Sequence, residues 1–337
     1  MKVNDNEETT GCALALTGAT PLLAQEQAFV WGGEFEIGVD STVKSDDPAA
    51  ELTDNYASLS LAFEAGVANS ITLFGEVSLE SVTDAADTRH LDDLGLYVNE
   101  LGLRFDLAAG ELSVGKVSPT FAAAWDAAPG FYGTSLAEDY ELSEVIGATF
   151  DMPVAASGGL LSFALFYADD TAFSDSLGTK RGRNTTADGG AGNTGKLNNV
   201  ALQYTQEMGD TTYWVGARFL TAGESDLSDE KGAVIGMAHD FGNGFDLIAE
   251  VAYFGGFVGT GEDSTYATLG GSYVQGPWAY SASYTGIDNT ANGYDDLITV
   301  GVDYTFENDM SLGGGVGFYD VGGDDFTTVG ASLVIPF

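Results

Sequence analysis

Residues Phe245–Tyr253 read FDLIAEVAY. Phe245, Leu247, Ala249, Val251 and Tyr253 fall on one parity, and Asp246 and Glu250 on the other. Successive side chains of an extended strand point to opposite faces, so this two-residue rhythm describes a strand with one apolar and one polar face. The pattern recurs on both sides of the segment. Upstream, Phe35, Ile37 and Val39 alternate with Glu34, Glu36, Gly38 and Asp40. Leu59, Leu61 and Phe63 alternate with Ser58, Ser60 and Glu64, and Ile71, Leu73, Val77 and Leu79 with Thr72, Glu76 and Ser78. Leu101, Leu103, Phe105 and Leu107 alternate with Glu100, Gly102, Arg104 and Asp106. Downstream, Ile298, Val300, Val302, Tyr304 and Phe306 alternate with Thr299, Asp303 and Thr305, and the chain ends on Val329, Ala331, Leu333, Ile335 and Phe337. A soluble sandwich would also alternate, but it would not line one face with charge in strand after strand.

Sixteen strands are expected, beginning near Phe29, Leu52, Ser70, Asp93, Gly110, Ser143, Gly159, Lys196, Asp210, Ser228, Gly244, Glu262, Pro277, Tyr294, Asp309 and Asp324. The connections fall into two classes. One is tight: Ala65–Asn69, Ala108-Ala109, Gly209-Asp210, Gly242-Asn243, Gly276-Pro277 and Asn308-Asp309, the residues that tight turns favour. The other is long and acidic, including Val43–Glu51, Asp84–Asp92, Ser118–Leu142 and Thr171–Gly195. Within the last, Thr179–Gly195 is polar and Gly-rich and is expected to be a mobile external loop. Pro153–Gly158 is longer than its class. Short turns at one end and long loops at the other, with both termini at the short end, describe an all-β transmembrane antiparallel barrel. Closure satisfies every backbone N–H and C=O, which is what lets strands cross a bilayer. Phe105, Phe241, Phe245, Tyr273, Trp278, Tyr304 and Phe306 gather at the short-turn ends, where an interfacial aromatic girdle belongs.

Composition agrees. The 337 residues include 46 Gly and only 7 Pro, mean hydropathy is close to zero, and no apolar run reaches the ~20 residues that a spanning helix requires. Against 51 acids stand 11 bases, for a net charge of −40. Such a surface repels phosphates, so nucleic acid is not an expected partner. Gly11–Ala24 is small and mildly apolar, and residues 1–24 are read as a degenerate export signal preceding a single domain, 25–337. Its loss would remove three acids (Asp5, Glu7, Glu8) and one base (Lys2), leaving −38. Cys12, the one cysteine, lies in this segment, so the exported chain would have no disulfide.

No enzymatic signature is present. The two histidines, His90 and His239, are far apart, and there is no Gly-x-Ser-x-Gly, HExxH, P-loop or dinucleotide motif. Gly313-Gly314-Gly315 falls inside an expected strand. No cofactor is expected. Asp92-Asp93 and Asp324-Asp325 offer oxygen ligands for Ca²⁺, without the spacing of an EF-hand. The informative groups are acids in the inward phase: Glu36, Glu64, Glu76, Glu100, Asp106, Asp246, Glu250 and Asp303, against the inward bases Arg104 and Arg218. A low-dielectric wall lined with one sign of charge focuses its field across the lumen.

The strand count, the two loop classes and Phe337 after Gly330-Ala331-Ser332-Leu333-Val334-Ile335-Pro336 together resemble the general bacterial porins over residues 29–337, the alphaproteobacterial members most closely. The resemblance implies a homotrimeric, water-filled channel of a Gram-negative outer membrane, amid its lipids and lipopolysaccharide. It also implies that Phe337 is read by the barrel assembly machinery. It further implies that the third external connection, Ser118–Leu142, folds into the lumen. That loop carries Asp126, Glu138, Asp139 and Glu141, with Glu144 beyond it, and no base. Together with Lys116, Arg104 and Glu100 they are the expected constriction residues, and cation preference is the expected outcome. The Val114-Gly115-Lys116 step matches the cation that such barrels place opposite the loop, whereas the acidic Pro-Glu-Phe motif of enterobacterial porins is missing. Strict alternation puts Lys116 on the lipid side with Leu112 and Val114, so a break at Gly115 or burial in a subunit interface is required. Phe121, Trp125, Phe131 and Tyr132 either anchor the loop or form a sugar slide. A substrate-selective channel for sugars or organic cations, and a structural or adhesive barrel, are the competing readings.

Overall fold

The computed structural model describes residues 29–337; the expected signal segment, 1–24, and Cys12 lie outside the described residues. Sixteen long strands form one closed antiparallel sheet. They are β1 (Val30–Ser45), β2 (Thr53–Ala68), β3 (Ile71–Ser81), β4 (Leu94–Leu107), β5 (Gly110–Val117), β6 (Val145–Val154), β7 (Gly159–Ala168) and β8 (Asn199–Met208). The second half comprises β9 (Thr211–Leu220), β10 (Glu230–Asp240), β11 (Phe245–Gly255), β12 (Ser264–Gln275), β13 (Trp278–Asn289), β14 (Gly293–Thr305), β15 (Ser311–Val321) and β16 (Asp324–Pro336). Each pairs with its sequence neighbours, and β16 closes on β1 from Glu34↔Pro336 to Ser45↔Phe326. Gly33 and Phe337 lock the seam by exchanging backbone bonds of 3.1 and 2.9 Å. Every expected strand start lies within three residues of the observed one.

The faces are inverted relative to a soluble protein. Val215, Ile235 and Val251 stand side by side on β9, β10 and β11, all pointing outward and about half exposed or more. The opposite phase holds the buried residues, among them Glu250, Thr268 and Thr299. This is the arrangement of a chain whose solvent outside is hydrocarbon. At the short-turn end, Phe245, Tyr273 and Tyr280 share one cross-strand row, and Trp278, Tyr304 and Phe306 form edge contacts at 4.8 and 4.9 Å.

The loop end is uneven. The connections after β1, β3, β5 and β7 are long, but β13 and β14 are joined by Thr290–Asn292 and β15 and β16 by Gly322-Gly323 alone. Both of those glycines have positive φ, as a tight hairpin demands. Two short strands decorate the long loops: Arg89–His90 beside β2, and Leu177–Gly178 beside β4. The second matters for the site. β5 has only eight residues against fourteen in β4, so the outer part of β4 loses its neighbour, and Leu177–Gly178 pairs there with Gly95 and Leu96.

Candidate pore constriction

β5 ends where Ser118-Pro119 leaves the ladder, because proline has no N–H to offer it. Ser118 N–H instead donates to Glu100 at 3.0 Å. The chain then crosses the inside of the barrel, touching inward residues of walls far apart in sequence. Phe121 is fully buried beside Phe254 of β11. Gln203 of β8 accepts the Ala122 N–H at 2.6 Å. Glu250 of β11, 3% exposed, accepts from Ala123 N (2.8 Å), Ala124 N (3.2 Å), Tyr140 Oη (2.6 Å) and Trp214 Nε1 (2.5 Å). Arg218, its guanidinium between the Phe121 and Phe254 rings and on Glu230 at 2.7 Å, donates to the Tyr140 carbonyl. One side of the lumen is therefore packed like a protein core, with a buried polar network fixing the loop.

The middle of the loop runs to the opposite wall. Ser281, Gly301, Gly315, Gly330 and Asp40 form one row across five neighbouring strands. Gly130, Phe131 and Tyr132 lie along it, and Tyr132 Oη donates to Asp40 at 2.6 Å. A Cβ at Gly315 would stand 2.7 Å from Phe131 Cβ, and one at Gly330 would strike the Phe131 ring. Gly315 and Gly330 thus make room for an aromatic side chain.

A cavity of about 570 Å³ remains between this loop and the β3–β4 wall. Glu76, Asn99 and Glu100 line it from the wall, and Trp125, Asp126 and Glu141 from the loop. Burial raises the Asp126 carboxyl above the usual carboxylate range. It raises Glu141 as well, reinforced by Glu138 and Asp126 and opposed by a hydrogen bond from Ser143. Of the expected constriction residues, Asp126, Glu141 and Glu100 thus converge. Glu138 lies apart, accepting from Thr134 Oγ1 at 2.5 Å. Asp139 accepts from Tyr266 Oη at 3.1 Å, a bond that opposes the rise burial imposes on its carboxyl.

The expected cations do not stand free. Arg104 faces the lumen but is paired with Glu64 at 2.6 Å and Glu111 at 3.1 Å. Lys116 meets neither lipid nor open lumen: it is 2% exposed, and its Nζ lies 2.7 Å from Glu144, 3.0 Å from Asp169 and 3.0 Å from the Phe173 carbonyl. Its burial is therefore within this chain, under the loop after β7, rather than in a subunit interface. Gly115 has a φ of 148°, but the pairing of β5 with β4 and with β6 runs through it without a register shift, so the expected break is not what buries Lys116. Glu250 stands in the inward phase as expected but serves the loop instead of the passage. Phe121 and Tyr132 are buried anchors, while Trp125 keeps a face on the cavity. The Thr179–Gly195 loop, expected to be mobile, is instead extensively hydrogen-bonded. Asn193 Nδ2 donates to Asn184, Thr185 and Gly189 within 2.9 Å, and Thr186–Asp188 forms a capped 3₁₀ turn. Sequence reading missed Arg181 and Tyr97, which lie 84 positions apart and carry no motif. Among the described residues no three His, Cys, Asp or Glu side chains converge on a metal-sized point. Asp93 is engaged by Thr83 and Arg89.

No family model and no curated protein matches this chain. Solved structures do. The outer-membrane channel DcaP of Acinetobacter baumannii superposes with a TM-score of 0.68 at 13% identity, over 92% of this chain and 97% of that one. The anion-selective porin of Comamonas acidovorans gives 0.59 at 14% identity, over 92% and 99%. A variant of the Rh. blastica porin gives 0.59 at 14% identity, over 92% and 100%. The chain therefore has the closed β-barrel fold of bacterial outer-membrane porins.

Proposed function

We propose that this chain is a Gram-negative outer-membrane channel for passive diffusion of small hydrophilic solutes and ions, with a preference for cations. One observation carries the reading: an apolar exterior encloses a polar interior in which an inward loop leaves an acid-lined cavity of about 570 Å³. The same fold includes a porin described as anion-selective, so the fold does not set the sign of selectivity. The sign is argued from this chain's own residues. Among the described residues, Arg89, Arg104, Lys116, Arg181 and Arg218 each have a carboxylate partner within 3 Å. Among the described residues no cation lies at salt-bridge distance from Glu76, Glu100, Asp126 or Glu141. At an effective dielectric of about 20 a unit charge 4 Å away contributes about 4 kcal/mol. Screening limits the reach to about 8 Å at physiological salt, so acids bordering the passage dominate.

The test is the reversal potential across a KCl gradient in a planar bilayer, for wild type and for Asp126→Asn/Glu141→Gln. A cation-selective wild type whose preference weakens in the variant supports the proposal; an anion-selective wild type refutes it. Trp125 beside the acids favours a second reading, a channel selective for organic cations, which solute competition in vesicle swelling separates from the first. Assembly as a homotrimer among outer-membrane lipids and lipopolysaccharide, and recognition of Phe337 by the barrel assembly machinery, belong to the same proposal. Phe337 is half exposed beside Trp31 at 5.9 Å, accessible at the seam.

A further inference from the structure

The loop after β7 sends Arg181 back into the barrel. Its Cζ lies 4.0 Å over the Tyr97 ring of β4, and its fork grips Glu144, with Nη1 donating to Oε1 at 2.8 Å and Nη2 to Oε2. Its Nε donates to the Ser174 carbonyl at 2.9 Å. Tyr97 is itself fixed, since its hydroxyl donates to Glu80. Tyr97 and Glu144 border the constriction cavity, while Tyr97 and Arg181 border a second cavity of about 540 Å³ on the loop side, lined also by Asp40, Asp54 and Glu80. Arg181 therefore stands where the outer vestibule meets the constriction. Lys116 behind it pairs with Glu144 at 2.7 Å as well as with Asp169 at 3.0 Å, so the Glu144 carboxylate beside the Tyr97 face is shared between Lys116 and the Arg181 fork.

We infer that Tyr97 and Glu144 form a seat for planar nitrogen cations, that Arg181 is its tethered occupant, and that this exchangeable guanidinium sets the specificity of the mouth toward guanidinium solutes. The inference deepens the cation-channel reading and rests on it. A guanidinium solute offers the same flat face to Tyr97 and the same paired donors to Glu144, which a spherical alkali ion does not. An intramolecular occupant competes at an effective concentration in the millimolar range or above, which lowers the fraction of time a solute holds the seat. Weak occupancy is what conduction requires of a site in a pore.

The experiment records single channels of the full chain in KCl with added guanidinium chloride, and with NaCl as the ionic-strength control. Arg181→Ala empties the seat, so guanidinium should produce brief blocks at about one-tenth of the wild-type half-blocking concentration, the tethered competitor being gone. Adding Tyr97→Leu to Arg181→Ala should abolish these blocks, and NaCl should produce none in any form. Equal half-blocking concentrations in wild type and Arg181→Ala overturn the inference, as does block that survives Tyr97→Leu. If Arg181→Ala yields no heat-modifiable barrel, Arg181→Gln, which retains a donor toward Ser174, is read in its place. The reversal potential in KCl judges the underlying reading separately: wild-type anion preference defeats that reading, whereas guanidinium block is judged by the ratio between variants.

Discussion

Replacing Glu250 by Gln should release the inward loop without unfolding the barrel. The carboxylate accepts four hydrogen bonds, two from the backbone at Ala123 and Ala124 and two from Tyr140 and Trp214, at 3% exposure. An amide keeps one acceptor oxygen and turns an NH₂ toward donors, so about two of the four bonds are lost. At about 1.5 kcal/mol for each bond to a charged group, the loop loses about 3 kcal/mol of anchoring. Each 1.4 kcal/mol is a factor of ten, so the detached loop becomes about a hundredfold more populated. The other attachments, Ala122 to Gln203 and Tyr132 to Asp40, remain and keep the loop from leaving altogether. Strand pairing does not involve this side chain, so the heat-modifiable band on a gel should persist. Single-channel recordings should show a larger and noisier conductance, and vesicle swelling should admit larger sugars than wild type does. Wild-type conductance, noise and size cut-off in Glu250→Gln would refute the claim that this carboxylate positions the constriction.

Further expectations follow from the same geometry. Gly330→Val should drive Phe131 from its place on the β15–β16 wall and change single-channel conductance by more than Gly66→Val, where a Cβ meets open space. Because burial raises the Asp126, Asp139 and Glu141 carboxyls, they take up protons as pH falls before an ordinary carboxylate with a pKa near about 4 would. Cation preference, read from the reversal potential, should therefore decline from above that value and recover on return to neutral pH. In a Cys12→Ser background, an impermeant thiol reagent should label Thr186→Cys in intact cells and leave Asn243→Cys unlabelled; the reverse pattern would invert the topology. The heat-labile species on a gel should have the mass of three chains, and a species of one chain's mass would defeat the trimer.

The two-residue alternation determined the strands, their number and the face taken by their regular stretches, because side-chain direction in a strand is a local property that needs no partner. Turn chemistry determined the order of the strands, since Gly209-Asp210 or Gly276-Pro277 leaves an antiparallel neighbour as the only continuation. The inward acids and the excess of acid over base were legible for the same reason. What a given inward side chain meets was not legible, because barrel closure brings together residues that sequence separates. Asp246 and Glu250 share one phase of one strand, yet only Glu250 lies where the loop's N–H groups arrive. Lys116 looked stranded on the lipid face until Asp169 and Phe173, more than fifty positions on, closed over it. Arg181 on Tyr97 and Glu144 is the clearest case: no local pattern joins the three. They meet because β5 stops after eight residues, β4 is left with a bare edge, and the loop after β7 folds back to cover it.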